Sequence, residues 1–103
     1  MTSPFDATDF DPLDTVAFEA LPVAGTAVGF TAATQANAVA AFCTVEGAPI
    51  RMRADGTDPT ATVGTPFEVG ARFVVWGSRD LGSVRFIRQG ASATLSTHFV
   101  KRV

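Results

Sequence analysis

From Thr15 to Val100, apolar side chains recur at every second residue, in runs cut by Gly, Pro and Asp. A period of two sends alternate residues to opposite faces of an extended chain, so each run can bury one face and wet the other. Val16-Ala17-Phe18-Glu19 alternates up to Pro22, which either stops a strand or confines it to a sheet edge, since proline brings no N–H to the ladder. Val28-Gly29-Phe30 is a second short candidate. Residues 38–46 set Val39, Ala41, Cys43 and Val45 on one face, and in the next run Ile50 and Met52 oppose Arg51 and Arg53. Phe73-Val74-Val75-Trp76 is apolar on both faces, the pattern of a central strand. Two further strands follow at residues 84–88 and 93–100, after turns at Asp55-Gly56-Thr57-Asp58-Pro59, Gly77-Ser78-Arg79-Asp80 and Gln89-Gly90. Residues 32–38 stay open between a helical turn and a loop, because Ala favours helix while Thr and Asn weaken it. Seven or eight short strands at a spacing of about 8–12 residues predict an all-β fold, a small antiparallel β-sandwich or barrel. Its expected interior is Val39, Phe73, Val75, Phe86, Ile87 and Phe99.

A chain of 103 residues makes one domain with a single core. Residues 1–14 have a different composition, with Pro4 and Pro12, the aspartates Asp6, Asp9, Asp11 and Asp14, and isolated Phe5, Phe10 and Leu13. Prolines and like charges oppose helix and ladder alike. The predicted organisation is an extended acidic arm at 1–14 and one β-domain at 15–103. A solvated tail has little use for large rings, so Phe5 and Phe10 are expected to anchor the arm on another chain. Charge is segregated to match: six acidic residues and no base precede Arg51, and all eight bases follow from there. Asp6, Asp9 and Asp11 are accordingly expected to face Arg51, Arg53, Arg85 or Arg88 of a neighbour. Arginine suits such planar carboxylate pairing.

The chain is 47% apolar, and it has nine Phe and no Tyr. Ring area without hydroxyls fits dry contacts, either in a well-filled core or between subunits, and the second option implies a homo-oligomer. The only cysteine, Cys43, excludes an intrachain disulfide and reads as a small buried hydrophobe. His98 alternates with Thr94 and Ser96 on a solvent or interface face, with no nucleophile or orienting group at a telling spacing. Asp55 and Asp58 lack the ligand spacing of a calcium loop and read as a turn. No catalytic residue, cofactor site or metal site is predicted. A pI near 5.1, the scarcity of lysine and rings at core positions argue against nucleic acid. The first residues lack a basic and apolar leader, and no run reaches the ~18 apolar residues of a membrane span. A soluble chain made in the cytoplasm, which stays there or leaves only as part of something larger, with no membrane partner, is expected.

The run Ala48-Pro49-Ile50-Arg51-Met52-Arg53-Ala54-Asp55-Gly56-Thr57-Asp58-Pro59-Thr60-Ala61-Thr62-Val63-Gly64, followed by Gly70 and the strands from Trp76 to Ile87, resembles small β-rich virion proteins of tailed bacteriophages. The resemblance covers about residues 36–103 and contains no reactive motif. It implies a compact β-sandwich present in many copies on a virion. The implied role is a structural, non-enzymatic capsid decoration or cement subunit, binding copies of itself and other virion proteins. A neck or tail component is the alternative within that class. From a different class, a carbohydrate-binding β-sandwich is the runner-up, disfavoured by the absence of Tyr and by Trp76 lying in what reads as a buried strand.

Overall fold

Strand-forming runs that each carry one apolar face need a second layer to cover it, and the chain supplies two sheets. The computed structural model describes residues 13–102. Seven strands are present among them: β1 (Leu13–Val23), β2 (Ala40–Glu46), β3 (Ile50–Arg53), β4 (Thr65–Phe67), β5 (Arg72–Trp76), β6 (Arg85–Arg88) and β7 (Ala93–Arg102). Two helical turns interrupt them, α1 (Ala32–Gln35) and α2 (Ser78–Ser83). A four-stranded sheet runs β1-β7-β2-β5 and a three-stranded sheet runs β4-β3-β6, with every pairing antiparallel. The fold is all-β and sandwich-like.

The inner face of the larger sheet is built in cross-strand rows. Ala17, Phe99, Ala41 and Val75 form one row, and Leu21, Leu95 and Val45 another. From the smaller sheet Ile50 and Phe86 complete the core, and Phe30 joins the layers, its ring 5.2 Å from Phe86 and 5.1 Å from Phe99. Val75, Phe86 and Phe99 are buried as expected. Phe73 is half-buried and stacks on Phe67 at 4.2 Å. Val39 is half-buried as well, against the opposite face of the sheet. Ile87 corrects the expectation, because it follows Phe86 directly and the strand turns it to the outer side, opposite Arg51.

The central strand is β2, not β5. Ala40, Ala41, Phe42 and Cys43 are all fully buried, whereas β5 is an edge strand and its Trp76 is 48% exposed. Apolar residues on both faces mark a strand covered on both sides, but they do not say which strand has two neighbours. β1 runs straight through Pro22, which sits opposite Thr94. An edge strand tolerates the missing N–H. The register shifts between Thr15 and Ala17, so Val16 is the extra residue of a bulge. Leu13 and Asp14, assigned above to the arm, stand in β1 opposite Arg102 and Lys101. The rest of the arm, residues 1–12, lies outside the described residues. Val28 makes one bridge to Phe86 instead of a strand. The open stretch after it resolves into the single turn α1. There Glu19 of β1 accepts hydrogen bonds from the Thr31 amide at 3.2 Å, the Thr34 hydroxyl at 3.1 Å and the Thr31 hydroxyl. A carboxylate at the start of a helical turn satisfies donors that the turn itself leaves unpaired.

Neighbouring residues on opposite faces provide a direct test of this register. Phe86→Ala should destabilise the domain by about 3–5 kcal/mol through lost burial and a residual cavity. Ile87→Ala, on the outer face, should cost less than half of that. Urea unfolding of the two variants measures the difference, and equal losses would contradict the register.

Candidate interaction surfaces

The arginines singled out in the sequence lie on the smaller sheet. Arg53 and Arg85 are direct cross-strand partners, and Arg51 pairs with Ile87, so Arg51, Arg53 and Arg85 share the outer face. Arg88 pairs with the buried Ile50 and therefore starts from the inner face, at the end of β6. Like charges placed opposite one another repel, and the chain offsets this by tying each guanidinium to its own loops. Arg51 donates from Nε to the Ala61 carbonyl at 3.0 Å and from Nη1 to the Gly64 carbonyl at 2.9 Å. Arg53 forms a two-point ion pair with Asp55, its Nε 3.1 Å from Oδ1. Arg85 Nη1 reaches the carbonyls of Gly82 at 3.1 Å and Val84 at 2.8 Å, and Arg88 Nη1 reaches the Ser92 hydroxyl at 3.1 Å. The expected partners Phe5, Phe10, Asp6, Asp9 and Asp11 lie outside the described residues.

Beside this face, β3 and the 54–64 loop border an open groove of about 580 Å³, lined by Met52, Arg53, Asp55, Val63, Gly64 and Thr65. A smaller recess of about 370 Å³ lies across Asp55, between Gly56 and the Arg79, Asp80 and Ser83 side of α2. The hydrogen bonds from Arg53 hold the Asp55 carboxyl below its ordinary range, and the same contact raises Arg53. Among the described residues, no group of three His, Cys, Asp or Glu side chains is placed to hold a metal ion.

A second surface escaped the sequence reading: the outer face of the four-stranded sheet. One cross-strand row there is Phe18, His98, Phe42 and Val74, and the next is Thr15, Val100, Ala40 and Trp76. His98 thus stands between two phenylalanines, with its ring edge-on to Phe18 at 5.0 Å. Phe18 (53% exposed) and Trp76 end these rows on opposite edges. Arg72 and Arg102 share the face, paired with Thr44 and Leu13. The sequence reading placed His98 on a solvent or interface face, but it put Trp76 in a buried strand and did not join the two into one surface.

Cys43 lies on the inner face and is fully buried, with the Thr97 hydroxyl 3.8 Å from its sulfur. Burial pushes the thiol up to about 12, and the bond from Thr97 offsets only part of that. This is a core side chain, not a nucleophile. Comparison with family models, with curated proteins and with solved structures finds no match for the chain.

Two outcomes follow from these geometries. Gly64 has φ +133°, and a Cβ there would lie 3.0 Å from the Met52 carbonyl oxygen. Gly64→Ala should therefore cost on the order of 1–3 kcal/mol and loosen the loop that Arg51 braces, which amide hydrogen exchange of residues 60–63 would register. For Cys43, the folded thiol keeps its proton to a higher pH than the unfolded one. Its contribution to stability is complete below about pH 9 and is lost as pH rises towards about 12. Denaturant titrations across that window should show a loss of about 1.4 kcal/mol per pH unit from this group, absent in Cys43→Ala.

Proposed function

We propose that the protein is a non-enzymatic structural subunit of a bacteriophage virion, a capsid-associated decoration or cement protein. It acts through contacts with copies of itself and with other virion proteins, and needs no cofactor. The observation that carries the reading is the placement of exposed large apolar side chains. Val16 and Phe18 project from one edge of the four-stranded sheet, Trp76 from the other, and Val63 and Val69 from the loops around β4. Apolar side chains displayed at separate sites on a small sandwich suit a subunit that meets several neighbours. The strand-turn that resembles the phage proteins supports the same reading. Residues 50–64 form β3 and a loop held by Arg51, with Val63 exposed shortly before β4. A neck or tail position satisfies the same observations.

A sugar-binding module is the second reading, and one observation favours it. Trp76 is half-exposed on a sheet face, where it can act as a platform for a sugar ring.

The decisive measurement is quantitative mass spectrometry of purified virions together with sedimentation of the isolated protein. The structural reading expects the chain on particles at a fixed copy number and self-association of the free protein, weakened in Phe18→Ser/Trp76→Ser. A strictly monomeric protein that is missing from particles but retained on a glycan array would replace it with the sugar-binding reading.

A further inference from the structure

β1 is an edge strand of the larger sheet, and the ladder shows which of its backbone groups face away from it. Val45 of β2 donates to the Ala71 carbonyl at 3.0 Å and accepts from the Gly70 amide at 2.8 Å, so its backbone faces β5. Backbone groups alternate sides along a strand, so Thr44 and Ala40 face β7, and their partners Ser96 and Val100 face β2. The Val100 carbonyl accordingly accepts from Val39 at 2.8 Å. Leu95, Thr97 and Phe99 are then the residues of β7 that bond β1, through Leu21, Glu19 and Ala17. Phe18, Ala20 and Pro22 are left with backbones facing the open edge. Pro22 agrees with this phase, because a proline turned towards β7 would take a donor out of the ladder. All three residues are exposed, and among the described residues none makes a backbone hydrogen bond on that side.

An edge of unpaired amides and carbonyls is a template for another strand, and bulges and prolines restrict it. In β1 the bulge at Val16 and Pro22 bracket a regular stretch at 17–21. We propose that this edge pairs with the same edge of a second copy, antiparallel about a two-fold axis at Ala20, and joins two four-stranded sheets into one of eight strands. Hydrogen bonding, charge and packing select this occupant and this register. Ala20 exchanges amide and carbonyl with Ala20 of the second copy, and each Phe18 amide donates to a Pro22 carbonyl. Both edge donors of the stretch are thus satisfied, and the missing Pro22 amide leaves only an exposed carbonyl unanswered. Glu19 falls opposite Leu21, whereas an axis at Glu19 would set two carboxylates face to face. The Glu19 carboxylate is moreover held by Thr31 and Thr34 of its own chain. On the outer face Phe18, 53% exposed, lies across from Pro22 of the second copy, so its ring meets an apolar partner. A strand that pairs with itself makes an isologous contact, which closes at two copies. The pairing specifies one of the contacts between copies that the structural reading invokes, yet it is argued from the strand edge alone.

Amide hydrogen exchange of the full chain across a concentration series reads the pairing residue by residue. The Glu19 and Leu21 amides, bonded to β7, should be protected at every concentration. The Phe18 and Ala20 amides should be unprotected in dilute solution. Above the dissociation constant their protection should grow about threefold for each tenfold rise in concentration, the square-root dependence of a dimer. Ala20→Pro removes the central donor without touching the ladder to β7, and should sediment as a monomer where the unaltered protein is a dimer. Phe18 and Ala20 amides that stay unprotected up to millimolar concentration would overturn the proposal and leave the edge to a strand of some other protein. A dimer that persists in folded Ala20→Pro would overturn it as well, and if that variant does not fold the exchange series decides alone. Absence of the chain from virions leaves this pairing intact, while a protein found on virions but monomeric in solution removes the pairing and keeps the virion reading.

Discussion

Burial of β2 on both faces, between β7 on one side and β5 on the other, is the constraint from which the rest of the arrangement follows. Ala41, Cys43 and Val45 point inward and require a second layer, which β3 and β6 provide through Ile50 and Phe86. Ala40 and Phe42 point to the outer face, where they cluster with Leu13 and Val100 and with half-buried Val39 and Val74. Each fully buried large side chain contributes roughly 1.5–3 kcal/mol relative to exposure, so leaving either face wet would cost a large part of the stability of so small a domain. Small residues at Ala40, Ala41 and Cys43 let the neighbouring strands bring bulkier partners such as Phe99 and Val100 against them.

The arginines show how charge is used once that core exists. A guanidinium offers several donors in a fixed fork, which suits a loop presenting backbone carbonyls as well as it suits a carboxylate. Arg51 holds the carbonyls of Ala61 and Gly64, and Arg85 holds those of Gly82 and Val84. These contacts are local in space and pin loops on the smaller sheet, so the groove beside β3 has walls held by hydrogen bonds. On the larger sheet Arg72 and Arg102 share the outer face with Phe42, Val74 and Trp76.

Much of the secondary structure was legible in the sequence because strand alternation is a local property. Phe86 and Phe99 read as core and are buried, and the breaks at Gly56 and Gly90 read as turns and are bends, whereas Gly77-Ser78-Arg79-Asp80, read as a turn, opens the helix α2. The face of Ile87 and the exposure of Trp76 were misread for a single reason. An apolar run of four or five residues identifies a strand without saying which of its faces meets the second sheet or whether a further strand lies beside it. Glu19 was equally opaque, since its role is to meet Thr31 and Thr34, residues whose own helical turn the sequence left open.

Residue order by itself determined that the chain alternates, where most of its turns fall, that Cys43 is buried, and that every basic residue falls at or after Arg51 while six of the ten acidic residues precede it. Tertiary structure decided the sheet order β1-β7-β2-β5, the edge position of β5 that exposes Trp76, the two-sided burial of β2, and the loops to which each arginine is tied. Alternation depends on adjacent residues, which the sequence displays directly. Strand neighbours depend on contacts such as Leu13 with Arg102, which join the two ends of the described chain and form only where many such pairings bury their apolar faces together.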